Sequence, residues 1–322
     1  MTKHIYIAAC TPDGGIYHYT QNENGSLCEQ NFYPIPSPMY LEIKQSKLYV
    51  VLRAPFNDSK NSGVITYEIG DNGSLSSRSK PISTLGEVAC HIHVEENGDF
   101  YCANYVSGSV FKSPDKLITH EGSGPNLPRQ DKPHTHYVKA SPDGKYILAT
   151  DLGLDTIFTY TKDLGEVSRA KVPEGHGVRH LIYSDDGKTV FAANELYSTV
   201  SAFDYDDGKL TLIDTVSALP EDFNGFSTIA AIRISGDLIY VSNRGHDSIS
   251  CFEYKNKKLK LLSVSKIGGE SPRDFDFIGD YVYSTNEITN SVTVLKRSEK
   301  SLELLPYSYD APNPLAIVSK DI

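Results

Sequence analysis

Paired cysteines are missing from this chain. Its five (Cys10, Cys28, Cys90, Cys102 and Cys251) are scattered, odd in number and never spaced as C-x-x-C. That pattern argues against a disulfide framework and against the paired ligand spacing of zinc sites, and reduced thiols are the simpler reading. Long apolar runs are missing as well, among them the h-region of a secretory signal, so a cytoplasmic protein is expected. No Pro/Gly/Ser-rich linker or charge block divides the 322 residues, which favours one domain over 1–322, although this length often accommodates two. Positive charge is in deficit, with 31 basic against 41 acidic residues and a formal net charge of −10. Nucleic acid and anionic membranes need a clustered basic surface and are not expected as partners. There is no G-x-S-x-G elbow for a nucleophilic serine and no Walker-type glycine loop ahead of a helix.

What the chain does have is repetition. The segment VRHLIYSDDGKTVFAANELYSTVSAFDYDDGKLTLID, from Val178 to Asp214, holds four short apolar runs separated by turn-forming residues. Its Asp-Asp-Gly turns suit tight hairpins, because glycine takes positive φ without steric cost. Related phrases begin near Pro38, Cys90, His134, Ile229 and Pro272, at the spacing of propeller blades. Ile5–Cys28 supplies three strands without an innermost one, and Pro312–Ser319 supplies an innermost strand with nothing after it. Joining the two gives an all-β, seven-bladed β-propeller with four-stranded blades, closed by pairing of its N- and C-terminal strands, which removes the open sheet edge. A β-sandwich would explain neither the repeats nor the complementary ends.

In such a ring the start of each blade's first strand and the end of its second share one rim of the channel. Strand starts contribute His91, His136, Arg179 and Arg273; second-strand ends contribute Arg53, Tyr105, Glu195, Arg244 and Glu287. Asn104, Asn194, Asn243 and Asn286 precede several of these and are expected to shape turns. Arginines converging in an acidic protein repel one another unless carboxylates and an incoming anion balance them, and their forks suit carboxylate or phosphate oxygens. The alternative is a set of rim salt bridges between blades. His134 and His136 form an H-x-H pair without an obvious third ligand, so an acid/base histidine is favoured over a metal site. His246 is read as ordering a turn.

At these positions the chain resembles the seven-bladed lactonase family, which includes 6-phosphogluconolactonases and carboxy-cis,cis-muconate cyclases. The matching strings are ANYVSGSV at Ala103, HTHYVKASPDGKYILATDLGLD at His134, VRHLIYSDDGKTVFAANELYSTV at Val178, VSNRGHDSI at Val241 and SPRDF at Ser271. The resemblance implies His136, Arg179, Glu195 and Arg244 as catalytic residues, with His91, Tyr105, Arg273 and Glu287 binding substrate, and neither metal nor cofactor. Val178 stands where the family usually has proline, and Glu287 where it usually has glutamine. The implied activity is hydrolysis of an anionic sugar lactone, foremost 6-phosphogluconolactone. Glu195, alone or with His136, would be general base; Arg179 or Arg244 would stabilise the oxyanion. Cycloisomerisation, hydrolysis of an unphosphorylated lactone and a purely binding propeller are the alternatives. A monomer and a small homo-oligomer are both compatible with the sequence.

Overall fold

The computed structural model describes all 322 residues. Seven antiparallel sheets stand around a common axis, and a single 3-10 turn at Leu152–Leu154 is the one helical element. The innermost strands are Pro38–Lys44, Ala89–Val94, Thr135–Ala140, Val178–Tyr183, Thr228–Ser235, Pro272–Ile278 and Pro314–Asp321; we number the blades 1 to 7 in that order. Blade 7 is the composite one. Its inner strand pairs with Lys3–Ala9, which continues outward through Gly15–Gln21 and Leu27–Pro34. The seven-bladed ring expected from the repeats is therefore the observed fold. Blade 1 departs from the four-strand plan. Its outer edge breaks into Leu75–Ser76 and Ile82–Glu87, both paired to Asn61–Ile69. Ser77 has φ +53 and Pro81 lacks an N–H, which interrupts the ladder there.

No central core exists. Seven apolar clusters lie one at each blade–blade interface, for example Phe191, Ala193 and Ala202 of blade 4 against Ile232, Val241 and Phe252 of blade 5. Because blades cover both faces of one another, middle strands such as Val190-Phe-Ala-Ala193 are buried without alternation, as in any sheet packed on two sides.

Two local devices aim side chains at the channel mouth. In blades 1, 2, 3, 4, 6 and 7 the inner strand bulges at its second residue: Met39, Cys90, His136, Arg179, Arg273 and Leu315. A bulge frees one residue from the ladder and re-aims its side chain. The second device is the asparagine ending the second strand. Asn243 donates to Ser248 and Ser250 and Asn286 donates to Ser291 and Thr293, and Asn194 binds Thr199 and Ser201 likewise. These bonds fix the turn, so the next residue (Glu195, Arg244 or Glu287) projects over the mouth.

Candidate active site

The bulged residues and the second-strand ends meet in one cavity of about 370 Å³, lined by Arg53, Tyr105, Arg129, His136, Glu195, Arg244, Arg273 and Glu287, with Met39, Cys90 and Leu315 among its apolar walls. Arg179 forms the floor directly beneath. Seven of the eight residues expected at a site thus gather here. His91 does not.

Glu195 is the hub. Although 4% exposed, its carboxylate meets three guanidiniums. Arg129 Nη2 donates to Oε1 at 2.6 Å, while Arg179 Nε and Arg244 Nη2 lie 3.0 and 3.1 Å from Oε2. Burial alone would raise the pKa of this group; Arg244, Arg179, His136 and Arg129 outweigh burial and hold it well below the usual carboxylate range. A carboxylate so stabilised is a weak proton acceptor. Its geometry suits it to gathering the arginines, and the expectation that it acts as general base is not the one this environment favours.

Five guanidiniums (Arg53, Arg129, Arg179, Arg244, Arg273) share the cavity and its floor with two carboxylates, an excess of three positive charges in a protein whose net charge is −10. Burial, then the nearby Arg273 and Arg244, pull Arg179 down to about 9. Burial is the larger cause, and the neighbouring guanidiniums add to it. The Nε groups of Arg179 and Arg244 are buried without a hydrogen-bond partner; the close approach of Arg179 Nε to Glu195 is an ion pair lacking hydrogen-bond alignment. Glu287 sits 3.8 Å from Arg273, so the glutamate in place of the family's glutamine neutralises one rim cation only loosely.

His136 is 3% exposed. Burial and then Arg179 depress its pKa well below 6.5, so the ring is neutral at neutral pH. Its Nδ1 lies 3.6 Å from Cys90 Sγ, and the residue lines the cavity. Burial pushes the Cys90 thiol up to about 12, which keeps it protonated, a small wall group rather than a thiolate.

His91 lies elsewhere because of the bulge. By structural position the blade 2 equivalent of His136, Arg179 and Arg273 is Cys90. His91 falls one step deeper, wedged between Tyr40 and Tyr137 at 4.4 and 3.8 Å between ring centroids, and it lines the cavity at the opposite mouth. Counting from the first residue of each inner strand would have selected Cys90. His134 also turns away: Nδ1 binds the Tyr105 carbonyl at 3.1 Å and the ring stacks on Tyr105. No group of three His, Cys, Asp or Glu side chains is placed to hold a metal ion. His246 orders its turn through Ser248 Oγ at 2.7 Å. Arg129 carried no repeat signal, since it sits in the irregular connection between Lys116–Thr119 and blade 3. Its neighbour Gln130, fully buried, anchors that connection by donating to Leu152 O and Asp155 Oδ1 at 2.8 and 2.7 Å.

Fold and site define a seven-bladed propeller with an arginine-lined pocket at one mouth of its channel. The chain belongs to the family described as "Lactonase, 7-bladed beta-propeller", whose profile matches residues 4–319. An uncharacterized protein of Staphylococcus aureus is 32% identical over 323 residues, covering 92% of this chain and 93% of its own. Among solved structures, a Lactobacillus plantarum protein superposes with a TM-score of 0.91 at 27% identity over all of both chains. A Bacteroides fragilis protein, described as a candidate 6-phosphogluconolactonase, gives 0.89 at 27% over 99% and 98%. A periplasmic gluconolactonase of Pseudomonas aeruginosa gives 0.90 at 24%, a likeness of fold.

Proposed function

We propose that this protein is a lactone hydrolase acting on an anionic sugar lactone, foremost 6-phosphogluconolactone. The observation that carries the reading is the excess of three positive charges at one pocket, with the Arg179 and Arg244 Nε groups left without partners. A phosphate dianion supplies the missing charge and accepts bidentate arginine forks. Arg273 and Arg53, on the rim, hold the remote anionic group. Arg244 faces the carbonyl, where negative charge develops as water adds. Neutral His136 accepts the proton of the attacking water. The tetrahedral intermediate collapses with cleavage of the ring C–O bond, and the imidazolium returns the proton to the departing ring oxygen. Glu195 keeps the arginines in register. An anion on these arginines also raises the basicity of His136, so binding readies the base.

The test is hydrolysis of 6-phosphogluconolactone and glucono-lactone compared with the spontaneous rate at several enzyme concentrations. Acceleration that scales with enzyme and favours the phosphorylated lactone supports the reading; rates equal to background with both lactones remove it. A reducing compartment is our expectation for its location, consistent with five free cysteines.

A further inference from the structure

The channel has a second mouth, and it is closed off from the first. Between them the inner strands place buried His91, His180 and Asp274 beside half-buried Tyr40 and Tyr137, and the gap against Tyr40, His180 and Asp274 is about 10 Å³, room for a single water at most. Beyond this plug opens a cavity of about 570 Å³, larger than the lactone pocket.

Its chemistry differs from that of the lactone pocket. Lys139 and Arg233 face Glu42 and Asp276, so the charged side chains lining it balance. Arg233 lies beside Asp276, its Nε 3.9 Å from Oδ1, and Glu42 sits 3.6 Å from His93 Nδ1. Arg233 is held by Asp274 at 2.5 Å, whereas Lys139 has no carboxylate within ion-pairing distance. The hydroxyls of Tyr40 and Tyr137 have no protein partner. His91, 3% exposed and lining the cavity, leaves Nδ1 buried without a hydrogen bond. A buried polar atom left unpaired, as His91 Nδ1 is, is costly to folding.

We propose that this vestibule binds a small neutral polyhydroxylated ligand, a free sugar or polyol, independently of the lactone pocket. A hydroxyl both donates and accepts, so a ligand carrying several can serve Lys139, the Tyr40 and Tyr137 hydroxyls and the Glu42 carboxylate together without bringing net charge. The Tyr40, Tyr137 and Tyr183 rings supply apolar faces for its C–H groups. An anion would meet Glu42 and Asp276, and an apolar ligand would strand every polar group.

The experiment is saturation-transfer NMR on the full-length protein with D-glucose, glucitol and gluconate as probes. Transfer to the two neutral probes in the millimolar range is expected, and it persists in Arg244→Ala, which damages only the lactone pocket. Lys139→Met and Tyr137→Phe each weaken it about fivefold, the loss of a single hydrogen bond, while lactone hydrolysis stays unchanged. Tyr137→Phe keeps the ring and so keeps the packing. No transfer from either neutral probe overturns the proposal. So does transfer unaffected by both variants, transfer abolished in Arg244→Ala, or a preference for gluconate.

Discussion

At the residue scale, the division of labour between Glu195 and His136 is the point most open to measurement. Replacing Glu195 with Gln leaves Arg129, Arg179 and Arg244 without their shared counter-ion. We expect kcat/KM for the lactone to fall about a hundredfold, with residual activity keeping the wild-type pH profile because His136 is intact. Arg244→Ala removes the proposed oxyanion partner and is expected to cost about 3 kcal/mol in kcat/KM, as loss of an oxyanion donor does elsewhere. Steady-state rates for both variants check these values, and near-normal rates in both would sink the mechanism. His136 sets the pH dependence. A base must be unprotonated to act, and burial together with Arg179 depresses its pKa. Consequently kcat/KM should stay flat as pH falls through 6.5, where an ordinary imidazole would lose activity. The positions that line the pocket are legible in the sequence where the repeats align and not where they do not. His91 was chosen for its chemistry one position past the bulge, and Arg129 was invisible because its segment has no counterpart in other blades.

At the scale of elements, the site depends on how loops are tied to strands. Asp155, at φ +52 after the 3-10 turn, accepts from Gln130 Nε2 and from the Gly175 and Gly177 backbone amides, each at 2.7 Å. It thereby links the segment carrying Arg129 to the one entering Arg179. Gly177 makes this possible: φ is +65, and a Cβ there would sit 2.6 Å from Leu196. Asp155→Ala strands three donors, and we expect a loss of about 2–4 kcal/mol in urea unfolding, since bonds to charged groups are worth about 1.5–3 kcal/mol each. A raised KM should accompany it as the two arginines drift. The strands and hairpin turns behind this were readable from Asp-Gly pairs and apolar runs. The register shifts were not, because a bulge changes side-chain direction without changing the apolar pattern.

For the whole molecule, seven interfacial clusters replace one core, and polar histidines are buried along the axis. Burial lowers the pKa of His91, His136 and His180 well below 6.5, and that of His18 to about 4. The unfolded chain takes up those protons near pH 6.5 while the folded chain does not, so stability is full above that pH and falls below it. Each such histidine contributes a slope of about 1.4 kcal/mol per pH unit. Urea midpoints should therefore drop steeply between pH 7 and 5; equal midpoints would show that the rings protonate in place. The ring itself followed from the sequence, because two incomplete ends had only each other to pair with.

That pairing sets an order of events during synthesis. Pro314–Asp321 reaches the ribosome exit after the six other inner strands, and it brings Leu315 and Asn313 to the pocket wall. Until then the nascent polypeptide is an arc with an unzipped edge and a pocket lacking one side. Catalysis should appear only once Pro314–Asp321 has emerged from the tunnel, so turnover can be read as a clock for ring closure.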